Sequence, residues 1–166
     1  MTPQKPCYIL RLICIICSII TNMTRKKLPV ILEPEEAQNL LKQPNKRYPT
    51  GLRNKAMMSL MLHCGLRISE VVNLRPGNIN LTKGKLRVEN GKGNKDRDLA
   101  IPEYLTDLFD SWRKKRPQSD FFFSTLKGKK LSIRYLQQMV KRYAQKAGLS
   151  KRISPHTASY LRNKLL

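Results

Sequence analysis

Apolar residues recur every three to four positions in several parts of the chain, a spacing typical of helices with one buried face. In residues 52–64 the recurring apolar positions are Ala56, Leu60 and Cys64, and Gly65 ends the predicted helix. The other predicted helices cover residues 33–42, 69–75, 102–115 and 132–147, and a last one begins at Ser154.

Three short stretches in the middle of the chain have the character of strands. They cover residues 79–81, 86–89 and 98–101, and they are joined by glycine-containing turns at residues 83–84 and 91–94. Short turns between consecutive strands predict an antiparallel sheet. We therefore expect a single α+β domain that is mainly helical and carries a small three-stranded antiparallel sheet.

The first 27 residues differ from the rest of the chain. Residues 7–20 are almost wholly apolar, interrupted by Arg11 and Ser18, and they are too short for an ordinary membrane span. Three interpretations stay open: translation that begins at Met23, a membrane or interfacial anchor, and an additional packed helix. We place an N-terminal extension at residues 1–27 and the folded domain at residues 28–166.

The charge of the chain is strongly positive. Its formal net charge is +22 at pH 7 over 166 residues, and residues 121–166 contain no aspartate or glutamate. A basic domain with 40% hydrophobic residues is expected to fold and to bind a polyanion, of which nucleic acid is the commonest.

The four cysteines do not form a pattern of paired positions. Cys14 and Cys17 have metal-type spacing, but they lie among aliphatic residues without a second pair, so no metal is expected. Cys64 is predicted to be a small core residue. The absence of a disulfide framework favours a reducing compartment, and we expect a cytoplasmic protein.

Three motifs follow one another in the sequence. Residues 65–70 read Gly-Leu-Arg-Ile-Ser-Glu, residues 91–97 read Gly-Lys-Gly-Asn-Lys-Asp-Arg, and residues 154–157 read Ser-Pro-His-Thr. In this order, around a three-stranded sheet, they resemble the catalytic domain of the tyrosine recombinase (phage integrase and Xer-type) family. The resemblance covers residues 28–157 and implies the fold of that domain.

The resemblance implies a reaction in which a tyrosine attacks a DNA phosphodiester without a metal or cofactor. Arg67 matches an arginine that binds the phosphate, since a guanidinium presents a rigid fork of donors to two oxygens. Lys92 matches the lysine that protonates the leaving oxygen, and His156 matches a histidine that positions the phosphate. Lys95 and Arg97 are alternatives to Lys92 and are otherwise expected to contact DNA. Glu70 is expected to orient Arg67 or to cap the short helix.

The sequence departs from the family pattern in its last residues. Ser159 occupies the place of the second phosphate-binding arginine, and Tyr160 is too close to that place to match the nucleophile. The expectation is a domain that lacks its last helices and is catalytically incomplete. Two interpretations stay open: a recombinase whose missing groups come from a partner chain, and a DNA-binding module or relict of a mobile element.

The predicted helix at residues 132–147 separates apolar from polar residues. Its apolar stripe is predicted to comprise Ile133, Leu136, Val140, Tyr143 and Ala147. Its opposite side carries Arg134, Gln138, Lys141 and Gln145, which are residue types that bind bases and phosphates, although they also suit a solvated basic face. The resemblance implies double-stranded DNA as the partner and allows a homo-oligomer on that DNA. A membrane partner is not expected.

Overall fold

The computed structural model describes residues 32–89 and 96–149. Its helices are α1 (Pro34–Lys42), α2 (Pro49–His63), α3 (Ile68–Asn73), α4 (Thr106–Lys115) and α5 (Ile133–Lys146). Its strands are β1 (Ile79–Asn80), β2 (Lys85–Val88) and β3 (Arg97–Ala100), with short 3-10 turns at Pro76–Asn78 and Glu103–Leu105. The predicted α+β class, mainly helical with one small sheet, is confirmed.

Helix α2 is the centre of the fold and contacts α1, α3 and α4. It begins at Pro49, three residues before the predicted start, because a proline fits the first turn of a helix. A Cβ atom at Gly51 would clash with the carbonyl oxygen of Asn45, so the glycine allows the preceding loop to approach the helix. Gly65, with a φ of 68°, ends this segment as predicted.

The sheet has the strand order β1-β2-β3, and both pairings are antiparallel. Leu86 and Val88 are buried while Lys85 and Arg87 are exposed, so one face of β2 covers the core. The register places Val88 opposite Arg97. The three strands lie where the sequence predicted them, with ends that differ by one residue.

Helix α5 packs against α1 and α3. Its buried residues are Leu136, Met139, Val140 and Ala144. The prediction of Ile133 as a core residue is wrong, since its side chain is 45% exposed. It is the first residue of the helix, directly after the Ser132 cap, and the buried stripe passes through Met139 and Ala144 instead.

A polar network is buried between α2 and α5. Arg53 is 3% exposed and donates hydrogen bonds to the carbonyl oxygen of Ser124 and to the hydroxyl of Tyr135, each 2.7 Å long. Asn54 accepts from the Tyr135 hydroxyl at 3.3 Å and donates to the Tyr143 hydroxyl at 3.2 Å. Within the described ranges no carboxylate pairs with Arg53. Hydrogen bonds and the Tyr135 ring therefore take the place of a counter-ion.

Several sequence predictions fall outside the described residues. They concern the N-terminal extension, the turn at residues 91–94 and the last helix beginning at Ser154. Among the helices that are described, none has the length and apolar character needed to cross a membrane. Residues 32–89 and 96–149 contain no group of three or more side chains that could hold a metal ion.

Candidate nucleic-acid phosphate site

Arg67 stands at the start of α3, two residues after Gly65 turns the chain out of α2. Its backbone N–H donates to Glu70 Oε2 at 2.8 Å, so the glutamate satisfies one of the free donors at the start of this helix. The Arg67 side chain is 41% exposed. The guanidinium is thus fixed at its base and open to solvent at its end.

Glu70 joins two arginines that come from different elements. Its Oε1 accepts from Arg67 Nη1 at 3.1 Å, and its two oxygens accept from Arg97 Nη1 and Nη2 at 3.0 and 2.8 Å. The Glu70 side chain is only 7% exposed. Both roles expected for Glu70, orienting Arg67 and capping the short helix, are present in the structure.

The cluster Arg67–Glu70–Arg97 carries two cations and one anion. Burial alone would raise the pKa of Glu70, but hydrogen bonds from the Arg97 side chain and the Arg67 backbone, with the charge of Arg97, hold it below the ordinary value. Glu70 is therefore ionised at neutral pH. The site keeps a net positive charge beside an exposed guanidinium, an arrangement suited to binding a phosphate oxyanion.

The lowered pKa of Glu70 gives a prediction for acid stability. Because the pKa is lower in the folded than in the unfolded chain, the ionised cluster stabilises the fold above the unfolded value of about 4.3, and this contribution is lost as pH falls through the folded value. Between about pH 5 and pH 3, the free energy of unfolding should fall more steeply for the wild type than for Glu70→Gln. Urea unfolding at several pH values measures the difference, and parallel curves would contradict it.

His63 and Cys64 precede the Arg67 motif; Cys64 is buried, and His63 is half-buried. Cys64 is buried as predicted, its thiol lies 3.7 Å from the carbonyl oxygen of Ala100, and burial raises its pKa to about 11. His63 Nδ1 lies 3.0 Å from the hydroxyl of Tyr104, and burial lowers the pKa of the imidazole. Cys64 thus contacts the end of β3, and His63 contacts the segment that follows the sheet.

The other predicted site residues divide into two groups. Arg134, Gln138 and Lys141 are all exposed along α5, as predicted. Lys92, Lys95 and His156 lie outside the described residues, so the convergence of Arg67, Lys92 and His156 on one pocket stays a prediction.

The sequence analysis missed two features of the α5 face and of the Arg67 site. Arg142 and Lys146 are exposed on α5 and extend its basic face, and Arg142 follows Gln138 at the helical spacing of four that could have indicated it. The second is the pair of Arg97 with Glu70, to which both terminal nitrogens of Arg97 donate, while the DNA contact expected of Arg97 stays a prediction. No local pattern indicates this pair, because 27 positions separate its members.

In residues 32–89 and 96–149, the arrangement of five helices and a three-stranded sheet, with Arg67 at the start of α3, is that of a tyrosine recombinase catalytic domain. The family model described as "Phage integrase family" matches residues 31–163, and the chain belongs to this family.

Similar proteins support the same conclusion. Tyrosine recombinase XerD of Staphylococcus aureus is 35% identical over 139 residues, which are 80% of this chain and 47% of that protein. The crystal structure of XerA recombinase has a TM-score of 0.73 and 25% identity, covering 85% of this chain and 52% of that one. XerH site-specific recombinase, bound to its difH substrate in a pre-cleavage complex, has a TM-score of 0.69 and 27% identity. The match covers 87% of this chain and 45% of that one. The chain spans about half the length of the curated relatives that it matches.

Proposed function

We propose that residues 28–166 act as the DNA-binding and phosphate-binding part of a site-specific recombinase, with double-stranded DNA as the partner. The observation that carries the proposal is the exposed Arg67 guanidinium, which Glu70 holds at the start of α3 in a chain of the phage integrase family. In this proposal the protein acts in the cytoplasm and assembles as a homo-oligomer on DNA. No metal or cofactor takes part.

Each catalytic group has a separate role in the proposed site. Arg67 binds the non-bridging oxygens of the scissile phosphate and stabilises the charge that develops on them. Lys92 donates a proton to the leaving 5′ oxygen, and Lys95 is the alternative donor. His156 positions the phosphate. The similarity to XerH site-specific recombinase, whose structure is a complex with its difH substrate, supports DNA as the partner.

The exposed face of α5 is proposed to lie against the DNA backbone and base edges. Arg134 and Lys141 supply charge, and Gln138 between them supplies an amide that can bind a base. The formal net charge of +22 makes long-range attraction to DNA unavoidable. A test of this surface must therefore separate local contacts from net charge.

The test is a salt titration of duplex binding with two matched double variants. Each phosphate contact contributes about 0.9 to the slope of log affinity against log salt concentration. If both cations contact phosphates, Arg134→Gln with Lys141→Gln should reduce the slope by about 1.8. Fluorescence anisotropy of a labelled duplex at several salt concentrations gives the slope.

The matched control removes two cations from another surface. Arg113 and Lys114 of α4 are exposed and both pair with Asp110, at 2.6 and 2.7 Å. Arg113→Gln with Lys114→Gln changes the net charge equally and should leave the slope almost unchanged. Equal effects of the two double variants would show that net charge alone drives binding. A wild-type affinity independent of salt would contradict the proposed function as a whole.

A further inference from the structure

Arg97 supplies two of the four hydrogen bonds that Glu70 accepts. Its Nη1 and Nη2 bind the two carboxylate oxygens side by side at 3.0 and 2.8 Å, the bidentate geometry that is strongest for this pair of groups. Arg67 adds its backbone N–H and one guanidinium hydrogen bond. A carboxylate accepts about four hydrogen bonds, so Glu70 is saturated.

The Arg67 guanidinium, in contrast, donates to Glu70 through one of its three nitrogens, Nη1. Within the described ranges Arg67 Nε and Nη2 have no acceptor. The Arg67 side chain is 41% exposed, compared with 32% for Arg97. The guanidinium that binds Glu70 less completely is therefore also the one more open to a phosphate.

We infer that Arg97 is a positioning residue, which keeps Arg67 available for phosphate by occupying Glu70. The inference rests on the proposed function. Without Arg97 the carboxylate would have one cation left, and the favoured arrangement of an arginine with a carboxylate is bidentate. Arg67 would then direct two guanidinium nitrogens towards Glu70, and the Arg67–Glu70 pair would carry no net charge. With Arg97 present, the cluster keeps a net charge of +1 and an exposed donor pair.

The inference is tested by combining substitutions at the three positions and measuring affinity for a labelled duplex at one salt concentration. Arg67→Gln should weaken binding about tenfold, since it removes charge-assisted hydrogen bonds to phosphate. Arg97→Gln should weaken binding by a similar factor. The double variant Arg67→Gln with Arg97→Gln should be no weaker than Arg67→Gln alone, within about twofold.

The decisive variant is Glu70→Gln combined with Arg97→Gln. A neutral amide cannot neutralise Arg67, so this double variant should recover to within about twofold of the wild type. If Arg97 instead contacts phosphate directly, losses at residues 67 and 97 should multiply to about a hundredfold, and Glu70→Gln should not rescue Arg97→Gln. That result would overturn the inference and leave the proposed phosphate site in place.

Two further measurements keep the outcome interpretable. Arg113→Gln removes an exposed arginine that pairs with a single carboxylate at 2.6 Å. It shows how much affinity is lost when the chain loses one positive charge away from the proposed site. If Arg67→Gln is no weaker than Arg113→Gln, the phosphate site and the inference both fail. If thermal unfolding shows that Arg97→Gln is not folded, Arg97→Lys replaces it. A lysine binds one carboxylate oxygen as a point charge, so binding should weaken about threefold, and Glu70→Gln should again restore it.

Discussion

We expect this 166-residue chain to bind a nicked suicide duplex, a substrate that traps a phosphotyrosine intermediate, without forming a covalent adduct with it. We propose this outcome because Ser159 stands where the family pattern has its second phosphate-binding arginine. The pentacovalent phosphorane would then lack one of two bidentate cations. Loss of a single donor of this kind costs about 3 to 4 kcal/mol in the barrier.

Tyr160 is not expected to act as the nucleophile. It is adjacent to the position of the second arginine, which is too close to match the nucleophile of the family pattern. Denaturing gels of the protein with the labelled duplex detect an adduct, and a complete XerD run in parallel is the positive control. An adduct that disappears in Tyr160→Phe would overturn the expectation and identify Tyr160 as a nucleophile.

Arg53→Ala is expected to lower the free energy of unfolding by about 3 to 5 kcal/mol. The substitution leaves a cavity in the core and removes the donors that satisfy the Ser124 carbonyl and the Tyr135 hydroxyl. The Tyr135 hydroxyl keeps its hydrogen bond to Asn54, but the Ser124 carbonyl loses the Arg53 donor, and a buried group left without a partner costs about 1 to 3 kcal/mol. Denaturant unfolding followed by circular dichroism measures the change.

Two conservative substitutions separate the contributions at Arg53. Tyr135→Phe removes one hydroxyl from the network and should cost about 1 to 2 kcal/mol. Arg53→Met keeps most of the volume and also removes a buried charge, so it should cost less than Arg53→Ala. If all three variants unfold like the wild type, the network contributes nothing to stability.

The sequence predicted those parts of the fold that local rules determine. Regular apolar spacing placed α2 and α5, and Gly65 placed the end of α2. Turn residues placed the three strands to within one residue. The motif at residues 65–70 located Arg67, because a helix-ending glycine followed by an arginine and a capping glutamate is a local arrangement.

Contacts between distant positions could not be predicted in this way. Arg53 reaches Ser124 and Tyr135 over 71 and 82 positions, and no periodicity connects them. The Glu70–Arg97 pair likewise joins distant positions, so its place in the motif at residues 91–97 indicated Arg97 only as an alternative to Lys92 or a DNA contact. Ile133 was misplaced because apolar spacing alone cannot show which of two adjacent stripes faces the core.

The distance along the chain between Glu70 and Arg97 also determines when the phosphate site forms during folding. The capping contact between Glu70 and Arg67 spans three residues and can form with the helix itself. The Arg97 contact spans 27 positions and requires closure of a loop that contains β1 and β2, which carries an entropic cost that the local contact does not. Arg67 is therefore expected to reach its final environment only after the sheet has docked, and a partly folded chain with intact helices would have the charge to attract DNA but not the assembled form of the proposed phosphate site.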